Sequence, residues 1–267
     1  MDFIRNALAA NCRLDGRRLD DNPKILIEPN VSTGAHGSAK VILDDTVVIT
    51  TIMFHVTSPN TNSPEEGNVE ITLGSPFTLE DSDISQKRDE RMAHILEMLQ
   101  FHKQLFNRKL LCILSGQYVW TMRIHTTVLQ RGGGVMDAVS VAVICAMLTV
   151  SVPNIRGVIK DELESSRTAT NVRLRTMEGY NTDIEKLARE IPVLVTVARI
   201  GESHVWSVNQ EEAACADGFL TVAVFPNGNC AGIRAVGASF PLSVMPSLIA
   251  KARTIGLYQH QQITTAL

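Results

Sequence analysis

The sequence predicts an α+β protein of two similar lobes, each a β-sheet with helices on one face. Three observations carry this prediction. Segments of period-two alternation fall into two sets, one ending near residue 130 and one beginning near residue 193. Between them the period shifts to 3.6 over 86–106, and 137–148 is apolar on nearly every side. A polar, weakly patterned interval, 154–188, then divides a single domain into a first lobe, 1–153, and a second, 189–267.

The opening helix, 3–10, ends at Asn11-Cys12 and runs into Arg13-Leu14-Asp15-Gly16-Arg17-Arg18. Asp-Gly marks a turn there, and the flanking charges suit either an ion-paired corner or an interface. Pro23 and Pro29 bracket a strand, 24–28. Strands 38–43 and 46–55 are joined across Asp44-Asp45, a two-residue spacing that reads as a hairpin. Val69, Ile71 and Leu73 alternate with polar residues as a half-buried strand.

In the 86–106 helix, Met92, Ile95, Leu96, Leu99 and Phe106 form one stripe that packs on a sheet. Strands 110–114 and 119–129 follow. The second sets Trp120, Met122, Ile124 and Val128 against Thr121, Arg123, His125 and Thr127. The 137–148 helix, rich in Ala, Val and Ser, suits burial between layers, close to strands. The polar interval holds one short helix, 183–188. Strands at 193–197, 203–208, 218–225 and 232–236 make the second set, with Asn227-Gly228 as a tight turn. A helix entered through Pro246, 247–257, uses Leu248, Ala252 and Ile255 as its inner face.

At 267 residues and 45% hydrophobic, the chain can bury a large core without disulfides or metal. No apolar run approaches the ~20 residues that span a bilayer. Met1-Asp2-Phe3-Ile4-Arg5 lacks the basic-then-apolar order of a signal peptide, so a soluble, intracellular chain without membrane contact is expected. The cysteines, Cys12, Cys112, Cys145, Cys215 and Cys230, are odd in number, widely spaced, have no CxxC and sit among mostly apolar neighbours. They read as reduced core thiols rather than a disulfide framework or a metal site, and no cofactor is implied. A net charge of −3 gives no global field for nucleic acid. RNA would have to meet a local patch, and the candidates are Lys87, Arg88 and Arg91 with His102, Lys103, Arg108 and Lys109. Asp81, Asp83, Asp89 and Glu90 interrupt them, so the cluster is either a solvated helix face or an RNA-facing one.

Arg131-Gly132-Gly133-Gly134-Val135-Met136-Asp137-Ala138 has the frame of a phosphate-binding loop without the groups that bind phosphate. Glycines entering a helix expose backbone N–H groups at the positive end of the dipole. Val135 and Met136 add no hydroxyl or guanidinium, and Asp137 sets a carboxylate in the first turn, where it satisfies the dipole and repels an anion. The loop is either structural or a dismantled anion site. His36, His125 and His204 lack a nucleophile pattern nearby and read as structural, and Trp206 as core or interface.

Several landmarks occur in order: Arg13-x-Asp15-Gly16-Arg17, Gly37-Ser38-Ala39 leading to Asp45-Thr46-Val47-Val48, and Pro64-Glu65-Glu66-Gly67. Val119-Trp120, Gly134-Val135-Met136-Asp137-Ala138, Arg199-Ile200-Gly201 and Asn209-Gln210-Glu211-Glu212 continue the series. Together, over roughly 3–258, they resemble the RNase PH family, and within it the noncatalytic RNase PH-type subunits of the exosome ring. The resemblance implies an RNase PH-like fold. It also implies that active members clamp phosphate with a Ser/Thr-Arg pair where this chain has Val135-Met136 after Gly134. Ser207 and Asn209 align with two aspartates of active members, so the phosphate site (Gly134, Val135, Met136, Asp137) and the acidic site (Ser207, Asn209) are both degenerate.

The function so implied is a structural and RNA-guiding subunit, with no catalytic residue and no metal, supporting 3′–5′ RNA degradation and rRNA and mRNA processing. Its implied partners are other RNase PH-type subunits in a six-membered ring, cap subunits, and single-stranded RNA reached through the complex. Nucleus, nucleolus and cytoplasm are the implied locations. The alternative is a stand-alone phosphorolytic 3′–5′ exoribonuclease of RNase PH type, against which the same substitutions argue.

Overall fold

The computed structural model describes residues 2–19, 21–75, 82–152 and 182–267. The first sheet is built from β1 (Ile25–Pro29), β2 (Gly37–Leu43), β3 (Thr46–Thr57), β4 (Asn68–Gly74), β5 (Cys112–Leu114) and β6 (Tyr118–Gln130). Its order is β1-β2-β3-β6-β4 with β5 on β6, and only β4–β6 is parallel. The second sheet runs β10-β9-β7-β8, from β7 (Val193–Ile200), β8 (Ser203–Trp206), β9 (Gly218–Val224) and β10 (Cys230–Gly237), all antiparallel. The predicted α+β class and two-sheet plan are what the structure has.

Helices α1 (Asp2–Ala9), α2 (Ser82–Gln100), α3 (Val135–Leu148), α4 (Thr182–Glu190), α5 (Gln210–Cys215) and α6 (Met245–Ala266) complete the fold. α3 is buried from Val135 to Met147 and packs against β2, β3 and β7, so one helix joins the two sheets into a common core. Its small residues permit that close approach on several sides. Gln100 at the end of α2 is fully buried; its amide donates to Ser140 Oγ on α3 at 2.9 Å and to the Pro192 carbonyl at 2.8 Å. A smaller core of Leu8, Ala198, Ile200, Val205, Val208 and Cys215 lies beneath α1 and α5.

Local chemistry explains the turns. Asp44 takes φ +49 in the two-residue β2–β3 loop, and Gly228 takes φ +79 in the β9–β10 turn, closed by Gly228 N–H to Phe225 O at 2.8 Å. Several expected boundaries move. α2 stops at Gln100 rather than 106, because His102–Phe106 forms a turn that buries Phe106 edge-on against Phe101, ring centroids 5.1 Å apart. Phe106 therefore satisfies the apolar stripe from outside the helix. The expected strand 110–114 is a helical turn at Arg108–Leu111 followed by β5, and 203–208 is a strand only to Trp206. α6 runs well past 257, since Gln259 and Ile263 extend its buried stripe. The 183–188 helix is α4, while most of the interval 154–188 lies outside the described residues. None of the five cysteines is in a disulfide, but Cys12 and Cys230 are exposed, so the core-thiol expectation fails for two of the five.

Candidate functional site

Three segments converge at the N-terminal end of α3: the glycine loop, the β2–β3 turn, and 207–209 leaving β8. A Cβ on Gly132 would lie 2.6 Å from Thr46 Oγ1, and one on Gly133 would collide with the carbonyl oxygens of Val208 and Asn209. Glycine is required here by backbone packing between the lobes. Arg131 fixes the loop's other side, with Nη2 at 2.6 Å from both Asp89 Oδ1 on α2 and Ser75 Oγ.

Gly134 caps α3 without a side-chain bond, and Val135 and Met136 are buried in the common core. Asp137 is the surprise. It does not face the loop mouth: its Oδ2 accepts the Thr196 N–H of β7 at 3.0 Å, while Ser140 Oγ, one turn on, accepts the Leu194 N–H at 2.7 Å. β8 pairs only with Val197–Ile200, so among the described residues no strand covers that edge at the start of β7. Asp137 and Ser140 cap that edge at i and i+3, matching alternate strand amides. Burial pushes the Asp137 pKa up to about 7, opposed by the Thr196 bond and reinforced by the nearby Asp44. Its other oxygen, Oδ1, has no hydrogen-bond partner. The expected dipole-satisfying, phosphate-repelling carboxylate is thus corrected to a strand-edge cap that is substantially protonated near neutrality.

Ser207 and Asn209 are drawn together, but both are already engaged. Ser207 sits at φ +48, outside the strand, and its hydroxyl donates to Asp44. Arg17 Nη1 donates to the same Asp44 carboxylate at 2.7 Å and reaches Ser207 Oγ at 3.4 Å, while Arg17 Nε bonds Asp15 at 2.8 Å. Asn209 is the N-cap of α5: its Oδ1 accepts Glu212 N–H at 2.9 Å and Glu212 Oε2 accepts the Asn209 N–H at 3.0 Å. Glu212 is itself held by buried Arg13 through two bonds of 2.8 and 2.7 Å, and Arg13 also donates to the carbonyls of Trp206 and Ser207. The Arg13–Arg17 corner is therefore ion-paired. Asp44, Glu212, Thr196 and Ser140 are the partners that sequence reading missed; the capping pattern Asn209…Glu212 was the one local signal available.

The basic cluster splits. Lys87 and Arg91 are exposed one turn apart on α2, and neither has an ion pair among the described residues; Arg88 is half-buried, 3.9 Å from Asp89. His102 is exposed, and Lys103 pairs with Glu66 at 3.1 Å. Arg108 turns inward, its guanidinium donating to Phe101 O at 3.1 Å and to Glu97 at 3.4 Å, so it closes the end of α2 instead of facing outward. The histidines have structural partners: His125 bonds Thr72 Oγ1 at 2.8 Å, His36 Nδ1 accepts the Phe54 N–H, and His204 lies over Phe240. Trp206 is buried. Among the described residues no group of His, Cys, Asp and Glu is arranged to hold a metal, and no helix is long and apolar enough to cross a membrane.

Models of the 3′ exoribonuclease family match residues 23–153 (domain 1) and 190–254 (domain 2), and the chain belongs to this family. It is 28% identical over 241 residues to the exosome complex component Rrp42 of Methanosarcina acetivorans, covering 89% of this chain and 83% of that protein. It is 30% identical over 247 residues to the component of the same name from Pyrococcus abyssi, covering 90% and 85%. In structure it is similar to a chain of the Archaeoglobus fulgidus exosome with RNA bound to the active site. The TM-score is 0.77 at 21% identity, over 98% of this chain and 96% of that one.

Proposed function

We propose that this chain is a structural and RNA-guiding subunit of an exosome-type ring and performs no phosphorolysis itself. It would pair with other RNase PH-type subunits in a six-membered ring beneath cap subunits, and support 3′–5′ degradation and processing of rRNA and mRNA in the nucleus, nucleolus and cytoplasm. The relatives named as exosome components support the assembly. The observation that carries the noncatalytic reading is the fate of the four site positions. Val135 and Met136 are core residues, Ser207 is bonded to Asp44, and Asn209 is spent on capping α5. A phosphate clamp needs a hydroxyl and a guanidinium beside the helix start, each such donor being worth roughly 3–4 kcal/mol in a transition state. Neither is supplied by the positions that follow Gly134.

RNA contact is assigned to the exposed α2 side chains Lys87 and Arg91, with His102 and Lys103 at the helix end. With a net charge of −3, the chain alone should hold single-stranded RNA no tighter than about micromolar, and several subunits lining one path would raise that affinity. The test is incubation of the purified chain, and of the ring assembled with its partners, with RNA and inorganic phosphate. No release of nucleoside diphosphates by the chain alone is expected. Release that Asn209→Ala or Asp137→Ala abolishes would overturn the noncatalytic reading.

A further inference from the structure

The two edges of the second sheet are treated differently. At the β8 edge, Trp206 N–H donates to Leu19 O at 3.0 Å, and where β8 falls short, Ser140 and Asp137 take up the β7 amides. β10 forms the opposite edge. Its inner side pairs with β9 from Cys230↔Val224 to Gly237↔Gly218, and among the described residues no strand pairs with its outer side. Ile233 and Val236 are 41% and 48% exposed, and Arg234 is the single charge in the strand Cys230–Gly237, with no ion pair among the described residues. The two end strands of the first sheet's main path each carry a charge paired with its neighbour instead, Glu28 of β1 with Lys40 and Glu70 of β4 with Arg123.

Such charges deter strand addition, and an open edge without them is a template for another chain. Ala231, Gly232, Ala235 and Gly237 keep this edge free of bulk. At 8 residues it offers about 26 Å of backbone donors and acceptors. We propose that β10 accepts, edge to edge, an extended strand of a different RNase PH-type subunit, with a carboxylate opposite Arg234 and apolar side chains opposite Ile233 and Val236. The identity of that partner rests on the ring reading above. A second copy of this chain fits less well: in the registers that pair most of the strand, two-fold pairing of β10 with itself sets the two Arg234 side chains opposite or diagonal on one face, like charges together.

The test co-expresses the tagged chain with the other RNase PH-type chains of its own genome and follows amide hydrogen exchange at 230–237, free and assembled. Alternate amides of β10 should exchange at least about tenfold more slowly in the complex. The double variant Ile233→Lys, Val236→Lys should weaken assembly at least about tenfold. Arg234→Glu should weaken it too, and a carboxylate-to-lysine change in the strand cross-linked to β10 should restore it. A complex that forms with β10 amides as fast as in the free chain overturns this inference and leaves the ring reading intact. β10 protection in the free chain that disappears on dilution makes the occupant a second copy and overturns it as well. No assembly with any such subunit removes the ring reading and this one together.

Discussion

Asp137→Asn is expected to stabilise the protein, and increasingly so as the pH rises. In the native state the carboxyl is fully buried with a pKa of about 7, against 3.8 for the free side chain. Below about pH 4 the group is protonated whether the chain is folded or not, and it costs nothing. Between about 4 and 7 the native state holds a proton that the unfolded chain has released, so stability falls with rising pH, and above about 7 the full cost of a buried charge is present. Three pH units at about 1.4 kcal/mol each set that cost at about 4 kcal/mol. Asparagine keeps an oxygen for the Thr196 N–H, and its amide NH2 takes the place of Oδ1, which has no partner to lose. Urea unfolding across a pH series measures the effect. The midpoint difference between variant and wild type should be near zero at the acid end and grow to about 1–2 M above pH 7. A difference that does not change with pH, or a variant less stable throughout, would refute the assignment of Asp137 as a buried edge cap whose carboxyl pKa is held by burial well above the usual range.

Glu212→Ala strands the buried Arg13 guanidinium and should cost about 3–5 kcal/mol in chemical unfolding, part of which Arg13→Met in the same chain returns. Asn209→Ala should lose about 1 kcal/mol with the α5 cap. Asn209→Asp keeps the cap, so it should change stability little and still release no nucleoside diphosphate from RNA. In an assembled complex, replacing Lys87 and Arg91 with alanine should lower RNA affinity and flatten its salt dependence, by about 0.7 in slope for each phosphate no longer neutralised. Arg108→Ala should instead lower the thermal midpoint, because its guanidinium holds the Phe101 carbonyl inside the fold.

What the sequence reveals here is set by the range of the forces involved. The hairpin turns at Asp44-Asp45 and Asn227-Gly228 follow from two-residue chemistry, and the alternation of β6 reports which face is buried; both read correctly. The end of α2 does not, because Phe106 fills a position on the helical stripe from a following turn. α5 leaves almost no periodic trace in 6 residues, and its one signal is the Asn209…Glu212 cap. At the site, the glycine frame is local and legible. The direction of Asp137 is not, since it depends on β8 being shorter than β7. The Arg13–Glu212 bonds span 199 residues, so no window of sequence contains them.

The glycine loop is held in place by this packing, independently of any anion. Gly133 is pinned by the backbone of 208–209, and the first two turns of α3 supply the two acceptors that finish the β7 edge. A bulkier residue at 133 would push the two sheets apart, and losing Asp137 or Ser140 without a substitute acceptor would leave a β7 amide unpaired, at about 1–3 kcal/mol each. The side chains that would touch an anion carry no such duty: Val135 and Met136 need only fill core volume, and Ser207 and Asn209 only hold the β8–α5 corner. Folding therefore constrains the frame of the site tightly and its chemistry hardly at all. On the noncatalytic reading proposed above, the loop, the helix start and the lobe junction stay fixed whatever side chains follow Gly134.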